Sequence, residues 1–107
     1  MARVSAREKA ILELKQRVPE GSTVCTLLRH ASSSEGTAVI DLFVATEDGL
    51  RRIVRPAARL LGLPYSPEHR GIPVPGGPNA RRDLVARLGE ALYQDQGALK
   101  HRELATP

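Results

Sequence analysis

The chain has 107 residues, 41% of them apolar but with one Phe, two Tyr and no Trp, so it suits one domain with an aliphatic core and leaves no room for a second. Sixteen Lys and Arg, thirteen of them Arg, against twelve Asp and Glu give a formal net charge of +4, which suits a polyanionic partner without demanding one. A single cysteine excludes an intramolecular disulfide, and the lack of any long apolar run or leader-like segment reads as a soluble, cytoplasmic chain.

Ser5-Ala6-Arg7-Glu8 has the pattern of a capping box, in which the serine accepts from an amide three residues on. Ile11, Leu14 and Val18 recur at helical spacing, Leu12 widens that stripe, and Pro19 and Gly21 end it, so a first helix is expected over 6–17. Residues 23–30 and 38–46 are rich in β-branched and aliphatic side chains and are expected as strands. Alternation puts Val24, Thr26 and Leu28 opposite Cys25, Leu27 and Arg29, and Ile40, Leu42 and Val44 opposite Val39, Asp41 and Phe43. The serine-rich stretch 31–37 connects them, and Glu47-Asp48-Gly49 turns the chain into a third strand over 50–54.

Pro56 suits the first turn of a short helix that Gly62 caps. Five Pro and three Gly follow within residues 63–79, with Ile72 and Val74 as anchors and room for a short edge strand there. Asn79 is placed to cap a last helix whose stripe is Leu84, Val85, Leu88, Ala91 and Leu92. After Tyr93 the pattern decays. The expectation is therefore an α+β domain over 1–95, a three-stranded antiparallel meander with three helices on one face, and a flexible tail over 96–107.

Catalysis finds little support. His30, His69, His101 and Cys25 are too dispersed in sequence for a metal site, and neither a metal nor another cofactor is expected. Ser32, Ser33 and Ser34 lie in a hairpin connection without the strand-to-helix elbow of a serine nucleophile. Gly76-Gly77 precedes a helix, yet Pro78-Asn79-Ala80 stands where a phosphate loop needs Lys and then Ser or Thr. What remains is a generic anion site at that helix start, with Arg81 and Arg82 on its first turn. Arg51, Arg52, Arg55 and Arg59 form the densest positive run.

Arg29-His30, Ser32, Ser34 and Val39-Ile40-Asp41-Leu42 carry a resemblance to short proteins of phages and mobile elements. In that group a strand ends in Arg-His-Val-Ser-Arg-Ser-Gly-Met-Ser-Arg and is followed by Val-Ile-Asp-Leu. Gly71-Ile72-Pro73-Val74, Gly76-Gly77 and Ala91-Leu92-Tyr93 extend the likeness, which covers roughly residues 22–93. This chain departs from the pattern at Ser33, at Glu35-Gly36, at Ala38 and at Pro78-Asn79-Ala80-Arg81, losing positive charge in the hairpin. The resemblance implies a phage or mobile-element accessory protein. Read with the arginines, the first expectation is a non-enzymatic protein that binds nucleic acid or a nucleoprotein through Arg29, His30, Arg51, Arg52, Arg55, Arg81 and Arg82. The alternative is a protein-binding module, such as an inhibitor of a host defence or regulatory complex or a homodimer, using a sheet edge at Ile72 and Val74.

Overall fold

A computed structural model describes residues 5–32 and 37–105. The elements in chain order are α1 (Ala6–Arg17), β1 (Thr23–Ser32), β2 (Thr37–Thr46), β3 (Gly49–Arg52), α2 (Val54–Leu61), β4 (Ile72–Pro75), α3 (Ala80–Tyr93) and β5 (Lys100–Leu104). Ser5 caps α1 as its sequence implies, its hydroxyl accepting from the Glu8 amide at 3.1 Å. Leu14 and Val18 anchor that helix in the core, whereas Leu12 stays 57% exposed and adds nothing to the buried stripe.

β1 and β2 pair antiparallel, with Val24 opposite Val44, Thr26 opposite Leu42 and Leu28 opposite Ile40. β3 continues the meander but ends at Arg52, two residues short of its expected limit. Ile53 then serves both elements: its amide donates to Leu42 and its carbonyl receives the Ala57 amide of α2. The helix thus begins just ahead of Pro56, which falls in its first turn, and Gly62 closes it in the left-handed region at φ 67°.

The α+β class stands, but the sheet is larger than a three-stranded meander. It has five strands of mixed direction in the order β3-β2-β1-β5, with β4 also paired to β2. β4 is the short edge strand, Ile72 lying opposite Ile40 and Val74 opposite Ala38.

The flexible tail is corrected outright. Lys100–Leu104 runs parallel to β1, from Thr23 opposite Lys100 to Leu27 opposite Leu104. Ala98 and Leu99, 5% and 7% exposed, tie this return into the core, and the Lys100 amide donates to Ser22 at 2.8 Å. Gly89 explains how the chain gets there: a Cβ at that position would lie 2.8 Å from the Asp95 carbonyl oxygen, so a side chain in mid-helix would block the turn.

The helices cover one side of the sheet. Val24, Ile40, Leu42 and Val44 pack there with Leu14, Leu88 and Leu92. By strand alternation the other side carries Cys25, Leu27 and Arg29 from β1, Val39, Asp41 and Phe43 from β2, Leu50 and Arg52 from β3, Pro73 from β4, and Lys100, Arg102 and Leu104 from β5. No described helix packs on that side, and none is long and apolar enough to cross a membrane.

Candidate nucleic-acid interface

The open side is organised around one carboxylate. Asp41 is fully buried in the middle of β2, where an unpaired charge would cost several kcal/mol. Two diagonal neighbours reach it across the pleat, a span that long side chains bridge. Arg29 donates through Nη2 to Oδ2 at 3.0 Å. Arg52 donates through Nε to Oδ1 at 3.0 Å and through Nη2 to Oδ2 at 2.8 Å, a bidentate grip. The Leu42 amide gives Oδ1 a further donor at 2.9 Å.

Arg52 is held a second time, by the Arg70 carbonyl at 2.9 Å. Arg70 presents that carbonyl from the left-handed region, at φ 55°, a conformation uncommon for a residue with a side chain. Next to it, Gly71 lies against β2 so closely that a Cβ would sit 2.8 Å from the Ile40 carbonyl oxygen. Arg29, residues 39–42 of β2 and residues 71–74 are therefore spatial neighbours.

The arginines are not consumed by this arrangement. Their side chains remain 25% and 39% exposed while the aspartate is at 0%. Arg29 Nε is buried and hydrogen-bonds to no described residue. Lys100 and Arg102 stand exposed on the neighbouring strand of the same side. Among the described strand residues, four cationic side chains thus share this side with one carboxylate. Between them lie half-buried Leu27, Phe43 and Leu104, and Leu50 at 49% exposed.

The remaining expected residues are scattered. Arg51 pairs with Val44, which puts its register position on the helix side. Arg55 lies in the first turn of α2 with its guanidinium 4.9 Å from the centre of the Tyr65 ring. Arg81 is 3.6 Å from Glu103 and Arg82 donates to the Asn79 side chain at 2.8 Å, so both arginines at the start of α3 have protein partners. Asn79 consequently makes no side-chain cap to its helix. The His30 backbone pairs with Ala38, while its side chain and residues 33–36, with the serine pair, lie outside the described part.

Ile72 is fully buried in the core and Val74 is half-buried against it. Pro73 and Pro75 have no amide hydrogen, and the outer edge of β4 is correspondingly poor in donors for an added strand.

His101 sits on the helix side, its Nε2 2.8 Å from the hydroxyl of buried Thr26. Burial lowers its pKa from the ordinary 6.5; Glu103 opposes that shift and Arg81 and Arg82 add to it. Among the described residues no three His, Cys, Asp or Glu side chains gather as a metal site requires.

Sequence reasoning singled out Arg29 and Arg52 but missed the carboxylate that joins them. The available signal was Asp41 itself, a charge inside the apolar run Val-Ile-Asp-Leu-Phe-Val, which has to find cations on its own side of the sheet. Lys100, Arg102 and Tyr65 carried no comparable signal. The architecture is thus an α+β sheet protein with one helix-covered side and one cationic open side. Comparison with protein-family models, with curated proteins and with solved structures finds no match to this chain.

Proposed function

We propose that this protein is a non-catalytic nucleic-acid-binding protein that holds a strand across the open side of its sheet. The observation that supports this reading is the charge balance there: Arg29, Arg52, Lys100 and Arg102 against a single carboxylate already engaged by two of them. Guanidinium groups fixed in a plane suit phosphate oxygens, and Leu27, Phe43 and Leu50 offer apolar contact to bases between them. Such binding weakens as salt rises, because each phosphate contact releases counterions; four contacts to a single strand give a log–log slope of about −3. Fluorescence anisotropy of a labelled oligonucleotide between about 50 and 200 mM salt measures that slope. No binding to single strands or duplex at low salt ends the proposal.

The apolar residues favour a second reading, a protein partner. Charge narrows it: a second copy of this chain would set arginines against arginines, so the partner would have to be acidic. A stoichiometric protein captured regardless of nuclease treatment, with no oligonucleotide affinity, would select this reading over the first.

A further inference from the structure

Where β3 hands over to α2, the open side ends in a cleft of about 210 Å³ lined by Arg52, Val54, Arg55, Pro56 and Tyr65. None of these is acidic, and neither is any residue in the first turn of α2. Its two arginines are held in place by contacts that leave donors free. Arg52 uses Nε and Nη2 on Asp41 and the Arg70 carbonyl, and Nη1 meets no acceptor among the described residues. Arg55 is held by the Tyr65 ring rather than by a carboxylate, and none of its N–H groups donates to a described residue. Stacking fixes a guanidinium plane without neutralising its charge or occupying its edge. The result is two oriented cations with unspent donors beside one cavity.

We propose that this cleft binds a phosphomonoester, and that its occupant is the terminal phosphate of the nucleic-acid strand lying on the open side. A phosphomonoester carries a charge of about −1.5 to −2 at pH 7 and three acceptor oxygens, which matches two guanidinium groups better than the single charge of an internal diester. Arg52 belongs to both the sheet surface and the cleft, so a strand tracking the arginines arrives at the cleft with its end. The identity of the carrier rests on the nucleic-acid reading above; the affinity of the cleft for phosphate does not.

The test compares one short single-stranded oligonucleotide in three forms: 5′-phosphorylated, 3′-phosphorylated and unphosphorylated. Anisotropy titrations with the wild type should show one phosphorylated form bound about five- to tenfold tighter than the unphosphorylated one, as charge-assisted contacts warrant. The form preferred identifies the strand end. In R55Q and Y65A the ratio should fall to near unity, and in Y65F, which keeps the ring, it should persist. The wild-type ratio should also shrink below about pH 6, where the monoester gains a proton. Equal affinities of all three forms for the wild type would overturn the proposal while leaving strand binding intact. If no form binds, the nucleic-acid reading fails and a nucleoside monophosphate decides the cleft by NMR. Amide shifts at Val54, Arg55 and Tyr65 that vanish in R55Q sustain the phosphate site with a free nucleotide as ligand. No shifts up to about 10 mM, the weakest affinity worth calling a site, overturn it.

Discussion

The two sides of this sheet are built from the same strands and handle burial in opposite ways. On the helix side β2 presents Ile40, Leu42 and Val44, which disappear under aliphatic side chains from all three helices. On the other side the same strand presents Val39, Asp41 and Phe43, and the central residue is a carboxylate that is fully buried with no helix above it. The first side gains its stability from area removed from water and from dense packing. The second shields its strand with long side chains, Arg29 and Arg52, whose stems cover the sheet while their heads stay partly in water. A surface made that way is stable without a lid and remains charged.

Truncation on the two sides should therefore differ in kind. Leu42→Ala removes a fully buried side chain from the helix side and should cost about 2–5 kcal/mol in denaturant unfolding, the usual range for such cavities. Asp41→Asn keeps the volume but leaves two guanidinium groups facing an uncharged amide. Because both arginines reach water, the loss should be about 2 kcal/mol, less than for a pair buried on both sides. Replacing Asp41, Arg29 and Arg52 together by leucines should recover much of that loss, since no charge is then left unpaired. A triple variant as unstable as Asp41→Asn would mean that the ion triad, and not the shielding, holds this side together.

Gly71→Ala probes the link between the sides at the edge where β4 joins β2. A methyl group there meets the Ile40 carbonyl oxygen and the Val39 side chain, so β4 has to shift, at about 1–3 kcal/mol. The displacement carries the Arg70 carbonyl away from Arg52. Hydrogen exchange should accordingly rise at β4, and the temperature factors of Arg52 in a crystal of the variant should rise with it. A loss of stability confined to β4, with Arg52 unmoved, would uncouple the two.

Much of the helix side could be read from the residues alone, because its determinants are local. The Ser5 cap, the alternation in β1 and β2, the turn at Glu47-Asp48 and the Gly62 terminus each depend on a few adjacent positions. β5 could not be read in this way. Lys-His-Arg-Glu-Leu looks like solvated tail, and it becomes a strand only because Ala98 and Leu99 anchor it beside β1, more than seventy residues earlier in the chain. The open side was legible by halves. Alternation grouped Arg29 with Cys25 and Leu27 and Asp41 with Val39 and Phe43, while the joining of those two faces, the approach of Arg52, the stacking of Arg55 on Tyr65 and the cations of β5 all depend on tertiary neighbours.

His101 supplies a pH dependence that belongs to the helix side. Burial beside Thr26 holds its pKa below 6.5, with Glu103 acting against the shift and Arg81 and Arg82 with it. A histidine that is harder to protonate in the folded state takes up a proton on unfolding. The stability from neutral His101 is therefore complete above about pH 6.5 and is lost as the pH falls from there through the folded-state value. The melting temperature should drop more between pH 7 and pH 5 in the wild type than in His101→Gln, whose amide can still bond Thr26. Parallel pH profiles for the two proteins would remove His101 from the account.

The smallest effect on stability is expected where the effect on binding should be clearest. The side chains of Lys100 and Arg102 are exposed on the open side and make no hydrogen bond or ion pair with a described residue, so Lys100→Gln with Arg102→Gln should stay within about 0.5 kcal/mol of wild type. If these side chains contact phosphates, the same double variant should flatten the salt dependence of oligonucleotide binding by about one to two units of slope. Arg81→Gln with Arg82→Gln removes the same charge from the helix side, where both arginines already have protein partners. Its slope should stay near that of the wild type. Equal losses from the two pairs would show that net charge alone attracts the strand, and the distinction between the two sides would then be one of packing and not of function.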